Sequence, residues 1–352
     1  MSKRVLSCLL LSLLFSSLLI FAVQFRTGSL AAAILGDING DGAVNLLDLR
    51  ILASAFGSGP VDPRWNSNAD INGDGKVDLG DLVILAVHYG QTGIGVSQVL
   101  AGWRSSPYEF QTEVEPSYWV NVAEDMASKI GNSVPSGIWI LGEIVGQECH
   151  LTFNSSVAYP NIMFSHTDEN EKYFNDFDAA GLKVWLQVEP ADANVSTLIN
   201  LVLQRYQHHS CVIGFGVDVE WLQSGQYPDG RAVTSEEALS WLNEVKSYNS
   251  SYQLFLKHWL IEKMPTIHPV GLVFVDDSQG FPNIDALVDE FNQWATRFQS
   301  SNIGFQIGYD SDRAWWSKLA DPYKTIANRL FGEIPNCNGV YWVDFTLKTL
   351  YP

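Results

Sequence analysis

The chain is poor in basic residues and in cysteine, and each shortage removes a class of function. Only 21 Lys and Arg stand against 39 Asp and Glu, a formal net charge of −18. That balance excludes a nucleic-acid binder working through a basic face, and it argues against attraction to an anionic membrane. Of four cysteines, Cys8 sits in the N-terminal leader, leaving Cys149, Cys211 and Cys337. An odd set allows one disulfide and a spare thiol without saying which, and no pair has metal-finger spacing. His258 and His268 lack zinc spacing with each other or with a carboxylate. No Gly-rich phosphate loop follows a strand, and no Ser-His-Asp arrangement stands out. What is present is an apolar, aromatic chain: 352 residues, 46% hydrophobic, with 12 Trp, 13 Tyr and 18 Phe. This length suits one large core plus a small module, since single cores rarely grow past ~250–300 residues. An acidic, Trp-rich protein suits neutral ligands, sugars above all.

Residues 1–33 read as a signal peptide outside the fold. Lys3 and Arg4 form a basic start, Val5 to Val23 is an apolar run, and Ala31-Ala32-Ala33 offers small residues for cleavage. The alternative is an uncleaved N-terminal anchor, because a run of that length can span a bilayer. Either way the remainder lies outside the membrane, as a secreted, extracellular or cell-surface protein. Asn154, Asn194 and Asn249 each begin an Asn-x-Ser triplet, a possible glycan site.

An internal repeat comes next, its copies 33 residues apart. One runs from Gly36 to Asp48 and the other from Ala69 to Asp81. Calcium takes six to eight hard oxygen ligands, which a short loop delivers from positions 1, 3, 5, 7, 9 and 12. In the first copy those positions are Asp37, Asn39, Asp41, the carbonyl of Ala43, Asn45 and Asp48. In the second they are Asp70, Asn72, Asp74, the carbonyl of Lys76, Asp78 and Asp81. Gly42 and Gly75 occupy position 6, where the loop must turn sharply. An apolar helical stretch follows each loop, Leu46–Phe56 and Leu79–Tyr89, and no helix pattern precedes either. Residues 34–92 therefore resemble the type I dockerin, a paired loop–helix module that folds on calcium and docks onto cohesin domains. The resemblance implies two Ca2+ sites and a cohesin-bearing scaffold as partner. Leu46-Leu47 and Leu79-Gly80 stand where dockerins often carry a small hydroxyl pair that selects the partner. A calcium-folded spacer without a partner is the alternative.

Gln91–Val96, rich in Gly and Thr, reads as a linker, and residues 93–352 as a second domain. Candidate strands are Gly137–Glu143, Asn161–Ser165, Leu182–Glu189, Val212–Glu220, Gln253–Trp259, Gly271–Asp276, Ile303–Tyr309 and Gly339–Phe345. Helical patterns at Glu171–Ala180, Ser235–Tyr248, Ile284–Ser300 and Ala314–Phe331 separate most of them. Eight strands alternating with helices over such a length predict an α/β fold, a (β/α)8 TIM barrel, preceded by the small all-α calcium-binding module. The runs start apolar and end in reactive residues: Glu143, Gln187 with Glu189, Asp218 with Glu220, and Lys257 with His258. The later ones end in Asp276-Asp277, Gln306 with Tyr309-Asp310, and Asp344. Active sites of such barrels lie at the carboxyl ends of the strands.

The sharpest local feature is the fourth run, Ile213 to Trp221. On an extended strand Asp218 and Glu220 project to one face with backbones ~6.6 Å apart. Gly214 and Gly216 would leave the barrel interior open. Two carboxylates so close repel, and one tends to keep its proton, as glycosidic cleavage requires. The competing reading is a structural ion pair with a neighbour such as Lys257. This strand resembles the Asp-x-x-Asp-x-Asp-x-Glu signature of family 18 chitinases, its last Asp and Glu matching Asp218 and Glu220 and its glycine Gly214. Ile213 and Gly216 replace the first two aspartates. Ile307-Gly308-Tyr309-Asp310 is similar to that family's Met-x-Tyr-Asp, and Trp342 stands where the family places the floor of its cleavage subsite. An Asp-x-Glu on strand four is also similar to the family 25 lysozymes, whose first-strand Asp has no counterpart in Gly137–Glu143. The resemblance implies Glu220 as general acid and Asp218 as the group orienting a substrate N-acetyl, with Tyr309 and Asp310 in support. Trp185, Trp259 and Trp342 are candidate sugar platforms, and Gln187, Glu189, Glu143 and Asp276 candidate substrate contacts. The expected function is cleavage of an N-acetylhexosamine-containing polysaccharide. The alternatives are a hydrolase of a β-glucan, with Glu189 or Asp276 as partner carboxylate, and a glycan-binding barrel without catalysis.

Overall fold

The protein's computed structural model describes residues 35, 36, 38, 44, 46–90 and 98–352. The signal segment 1–33, Asp37, Asn39, Asp41, Ala43, Asn45 and the body of the linker lie outside the described residues. The chain divides into two units, one ending at Ser97 and the other beginning at Gln98. No described helix is long and apolar enough to cross a membrane.

The small unit repeats one device. Ile38 N–H donates to Asp48 Oδ1 at 2.8 Å, and 33 residues on Ile71 N–H donates to Asp81 Oδ1 at 2.7 Å. Each acidic residue belongs to the first turn of a helix, α1 (Leu46–Ala55) or α2 (Leu79–His88), where negative charge suits the helix dipole. A capping box starts α2: Asp78 accepts from Gly80 N–H while Asp81 accepts from Asp78 N–H. Ile38, Val44, Leu52, Ala55, Ala69, Val77 and Leu85 form its core.

The large unit is an α/β TIM barrel. Its strands are β1 (Val99–Ser105), β2 (Ser133–Val145), β3 (Glu148–Leu151), β4 (Ile162–Phe164), β5 (Lys183–Val188) and β6 (Val212–Asp218). The rest are β7 (Gln253–Lys257), β8 (Leu272–Asp276), β9 (Ile303–Ile307) and β10 (Cys337–Val343). β1 pairs in parallel with both β10 and β2, which closes a ring of eight parallel strands through β5, β6, β7, β8 and β9. The helices are α3 (Pro116–Ser128), α4 (Asn170–Ala180), α5 (Val195–Tyr206), α6 (Ser235–Tyr248), α7 (Ile284–Arg297), α8 (Arg313–Trp316), α9 (Pro322–Glu333) and α10 (Asp344–Leu350).

Three elements differ from the sequence expectation. The first stave is Val99–Ser105, not Gly137–Glu143, and Asn161–Ser165 supplies only β4. That short strand pairs with β3, an antiparallel extension of β2, outside the ring. The single helix expected over Ala314–Phe331 is two, because Asp321 caps a new helix with Pro322 in its first turn. Proline there has no N–H to continue the preceding one.

The barrel floor is filled. Leu100, Ile138, Trp185, Phe255, Val273, Val275 and Tyr341 form an inner core, and Trp185 Nε1–H donates to the Tyr341 hydroxyl at 3.0 Å. Gly214 and Gly216 therefore do not open the interior. A Cβ on Gly216 would lie 2.0 Å from Phe255 Cζ, and one on Gly214 2.7 Å from Trp185 Cζ3. The glycines make room for rings. Cys149, Cys211 and Cys337 are all free and buried.

Candidate active site at the strand ends

Above the apolar floor the inward positions turn polar. Asp218 ends β6 and pairs in register with Lys257, which ends β7. Lys257 Nζ lies 2.9 Å from Asp218 Oδ2 and 2.7 Å from Asp277 Oδ2, and it also donates to Glu220. Glu220 stands one residue into a 3-10 turn, Val219–Trp221, that breaks the strand after Asp218. The two acids thus do not share a strand face; they converge because one ammonium collects them. Around this knot, Gln187 Nε2–H donates to Asp218 at 3.2 Å. The Tyr309 hydroxyl donates to Gln306 at 3.2 Å and stands 3.4 Å from Asp277. Across the mouth, Arg104 from β1 meets Asp344 at 3.0 Å, and Tyr108 donates to Glu189.

Three acids around one ammonium leave surplus negative charge, and protons redistribute accordingly. Burial pushes Glu220 up to about 10, with the charge of Asp277 adding to it, so its carboxyl holds a proton at neutral pH. Asp277 goes the other way: burial raises it, but Lys257 and the hydrogen bond from Glu220 together hold it below its ordinary value. Burial also raises Asp218, against the pull of Lys257. For Lys257 burial works against the charge, yet Asp218, Asp277 and Glu220 prevail and keep the ammonium charged. Burial, then the nearby Asp218 charge, lifts Glu189 to about 7. Glu220 is the most open of the four linked groups, its side chain 15% exposed against 1% for Asp218, 4% for Lys257 and 6% for Asp277.

Several buried polar atoms at the mouth have no hydrogen-bond partner among the described residues: Arg104 Nε, Gln187 Oε1, Asp218 Oδ1, Asp277 Oδ1 and Gln306 Nε2. They come from five strand ends and mix donors with acceptors, a set that suits a hydroxyl-rich ligand. Tyr108, Trp259 and Phe345, each over a third exposed, follow β1, β7 and β10 and offer aromatic faces.

The remaining candidates fall elsewhere. Asp310 is turned to solvent and pairs with Arg313 at 2.5 Å. Glu143 pairs with His150 at 2.9 Å on the β2–β3 ribbon. Asp276 faces away from the knot and accepts from Ser278 N–H at 2.8 Å; its neighbour Asp277 is the inward acid. Trp185 lies in the floor, and Trp342 packs edge-on against Trp316 beneath the helices, so neither presents a face to a sugar. Trp259 remains exposed and lies tilted against His258, ring centroids 4.6 Å apart. Arg104 and Tyr108 are absent from the sequence expectation; Asp277 and Lys257 figure in it as reactive strand ends, Lys257 also as the competing ion-pair partner, but neither as a site candidate. Arg104 was hidden with its whole strand, whereas Asp277 was visible beside Asp276 but one residue out of phase.

In the small unit the second loop is described in full. Asp70 accepts from the N–H groups of Asp74 and Gly75 at 3.1 and 2.9 Å, and Asn72 Oδ1 accepts from Asp74 N–H at 2.9 Å. Gly75 sits at φ +87°, a turn that favours glycine. The loop gathers hard oxygens from Asp70, Asn72, Asp74 and Asp81, a donor set that fits calcium. Asp78 is engaged as the α2 cap. In the first loop only Asp48 among the expected ligands is described.

Residues 35–88 match the family model described as "Dockerin type I domain". The match covers that segment, and type I dockerin domains bind calcium. No curated protein matches the chain. Among solved structures, an FMN-binding beta-glucuronidase from Facaelibacterium prausnitzii is similar at 12% identity and TM-score 0.42, over 71% of this chain and 38% of that one. An endocellulase from Pyrococcus horikoshii, solved with cellotetraose, is similar at 13% identity and TM-score 0.41, over 70% and 84%. A putative beta-galactosidase from Bacteroides fragilis is similar at 10% identity and TM-score 0.37, over 70% and 36%. The chain thus spans well under half the length of the glucuronidase.

Proposed function

We propose that this chain is a secreted glycoside hydrolase, fastened through its dockerin to a cohesin-bearing scaffold, with Glu220 as the proton donor. The observation that carries the reading is the Glu220 carboxyl, the most open member of an otherwise buried ionic knot, where burial beside Asp277 favours its protonated form. Glu220 passes its proton to the glycosidic oxygen as the C1–O bond breaks and the electron pair leaves with that oxygen. Ionised Asp277, rather than Asp218, is the assisting carboxylate, because Glu220 hydrogen-bonds to it. Water then adds to C1 and returns a proton to Glu220. An N-acetylhexosamine polymer is the favoured substrate. Its amide N–H needs an acceptor such as Asp277 Oδ1, and its carbonyl a donor such as the Tyr309 hydroxyl beside it.

Incubation with chitin, peptidoglycan and cellulose oligosaccharides, with reducing ends as readout, tests this. Products from the amino-sugar polymers alone support the favoured substrate, and products from cellulose alone move the assignment to a β-glucan. A glycan-binding barrel without catalysis is the second reading, favoured by Lys257, whose ammonium occupies all three acids. It predicts oligosaccharide binding by calorimetry and no products from any polymer.

The dockerin is proposed to hold two calcium ions, one per loop. Chelation is expected to unfold residues 35–90 and spare the barrel, because the acids of each loop repel without a cation. Limited proteolysis of the full chain checks it: chelator should open cleavage sites within 35–90 and leave a protected fragment beginning near Gln98. Equal protection with and without calcium would overturn the metal-dependent module.

A further inference from the structure

We propose a transition-metal site on the outside of the barrel, formed by Glu171, His208 and His209 and suited to Zn2+. The histidines lie in the turn after α5, and Glu171 in the first turn of α4. One ligand atom from each lies within 4.8 Å of the other two. Glu171 Oε2 is 3.1 Å from His209 Nε2 and 3.6 Å from His208 Nε2. Tetrahedral zinc with bonds of about 2.0–2.1 Å sets neighbouring donors roughly 3.4 Å apart, so both spacings need only small adjustment.

The far sides of the rings single this cluster out. His209 Nδ1 lies 2.8 Å from Asp178 Oδ2, and His208 Nδ1 lies 2.9 Å from the Arg205 carbonyl oxygen. Both partners accept, so each Nδ1 carries the proton. With Nδ1 so engaged, each ring presents its Nε2 toward Glu171 Oε2 as the atom a metal would take. A cation seated among the two Nε2 atoms and Glu171 Oε2 would take the place of the His209 Nε2–Glu171 hydrogen bond. A carboxylate or a backbone carbonyl behind a ligating histidine is how outer-shell groups fix the tautomer that binds zinc. His209 is held at 2% exposure beside Phe174 and Tyr206, whereas His208 and Glu171 are 58% and 40% exposed and leave an approach. Two imidazoles and one carboxylate select zinc and its neighbours over calcium or magnesium. The ion would tie the α5–β6 turn to α4, a structural role separate from the strand-end knot.

Calorimetric titration of the full chain with ZnCl2 at neutral pH tests this, with CaCl2 in excess to saturate the oxygen-ligand loops. One zinc per chain is expected, together with the intense visible bands of four-coordinate cobalt when Co2+ replaces it. His208→Ala and Glu171→Gln, both at exposed positions, should each weaken zinc by at least ~10-fold, the lower bound for losing even an outer-shell partner. Circular dichroism establishes that both variants are folded. Absence of zinc uptake, uptake only when calcium is omitted, or uptake unchanged in both variants would overturn the site.

Discussion

Substitution of Lys257 by methionine is expected to lower the stability of the barrel by about 3–5 kcal/mol at neutral pH, the usual cost of stripping one partner from a buried ionic group. Methionine fills nearly the same volume, so packing contributes little and the charge is what is lost. Asp218 and Asp277 would then face each other and Glu220 without a cation, with side chains only 1% and 6% exposed. The pH dependence follows from the direction of each shift. Asp277 sits below its ordinary value, so its contribution is present above the unfolded carboxylate range, near pH 4, and fades as pH falls through its folded value. Lys257 sits above its ordinary value, so its contribution is complete at neutral pH and is lost only as alkali removes the proton. The gap between wild type and Lys257→Met should therefore be widest at neutral pH, begin to narrow below about pH 4, and close only once Asp277, held below its ordinary value, is protonated in the folded state. Urea unfolding followed by tryptophan fluorescence at both pH values measures it. A variant as stable as wild type at neutral pH would mean that the ammonium does not hold the knot together.

Much of this architecture is legible in the sequence, and the misses have physical causes. The calcium loops are local: every ligand and the sharp glycine lie within a dozen residues and the helix follows directly, so spacing alone carries them. The barrel is legible through its reactive strand ends, although Glu143, Asp276 and Asp310 finish their runs without joining the knot. Val99–Ser105 escaped because it opens the domain straight after a Gly-rich linker and carries a glycine in its middle. With it went Arg104 and the true start of the ring. The inference drawn from Gly214 and Gly216 failed for a long-range reason. Their missing side chains look like open space along the strand, but Trp185 and Phe255 arrive from the neighbouring staves to fill it. Asp276 and Asp277 differ by one residue, and with a side-chain period of two that decides which acid faces the barrel. The Lys257 knot was beyond reach for a related reason, since its three acids come from the ends of two strands and an intervening turn.

Replacement of Glu220 by glutamine is expected to cost at least ~100-fold in turnover on whichever glycan the wild type cleaves, the lower end of what a positioned general acid supplies. Glutamine keeps the shape and can still donate an amide N–H to Asp277, so the fold and the calcium module should be unchanged. What it cannot do is give up a proton as the leaving oxygen departs. The wild-type rate should hold across neutral pH and fall only in strong alkali, because Glu220, lifted to about 10, keeps its proton until then. On the acid side the rate should drop as Asp277, held below its ordinary range, takes up a proton and stops assisting. Glu220→Gln should retain the acid limb in its residual rate and lose the alkaline one. Asp310→Asn, at a residue turned to solvent, should leave turnover within about twofold of wild type, since it touches nothing in the knot. Steady-state rates for the three proteins across pH decide the matter. Full turnover in Glu220→Gln would remove this carboxyl from the chemistry and leave the barrel as a binder of glycans.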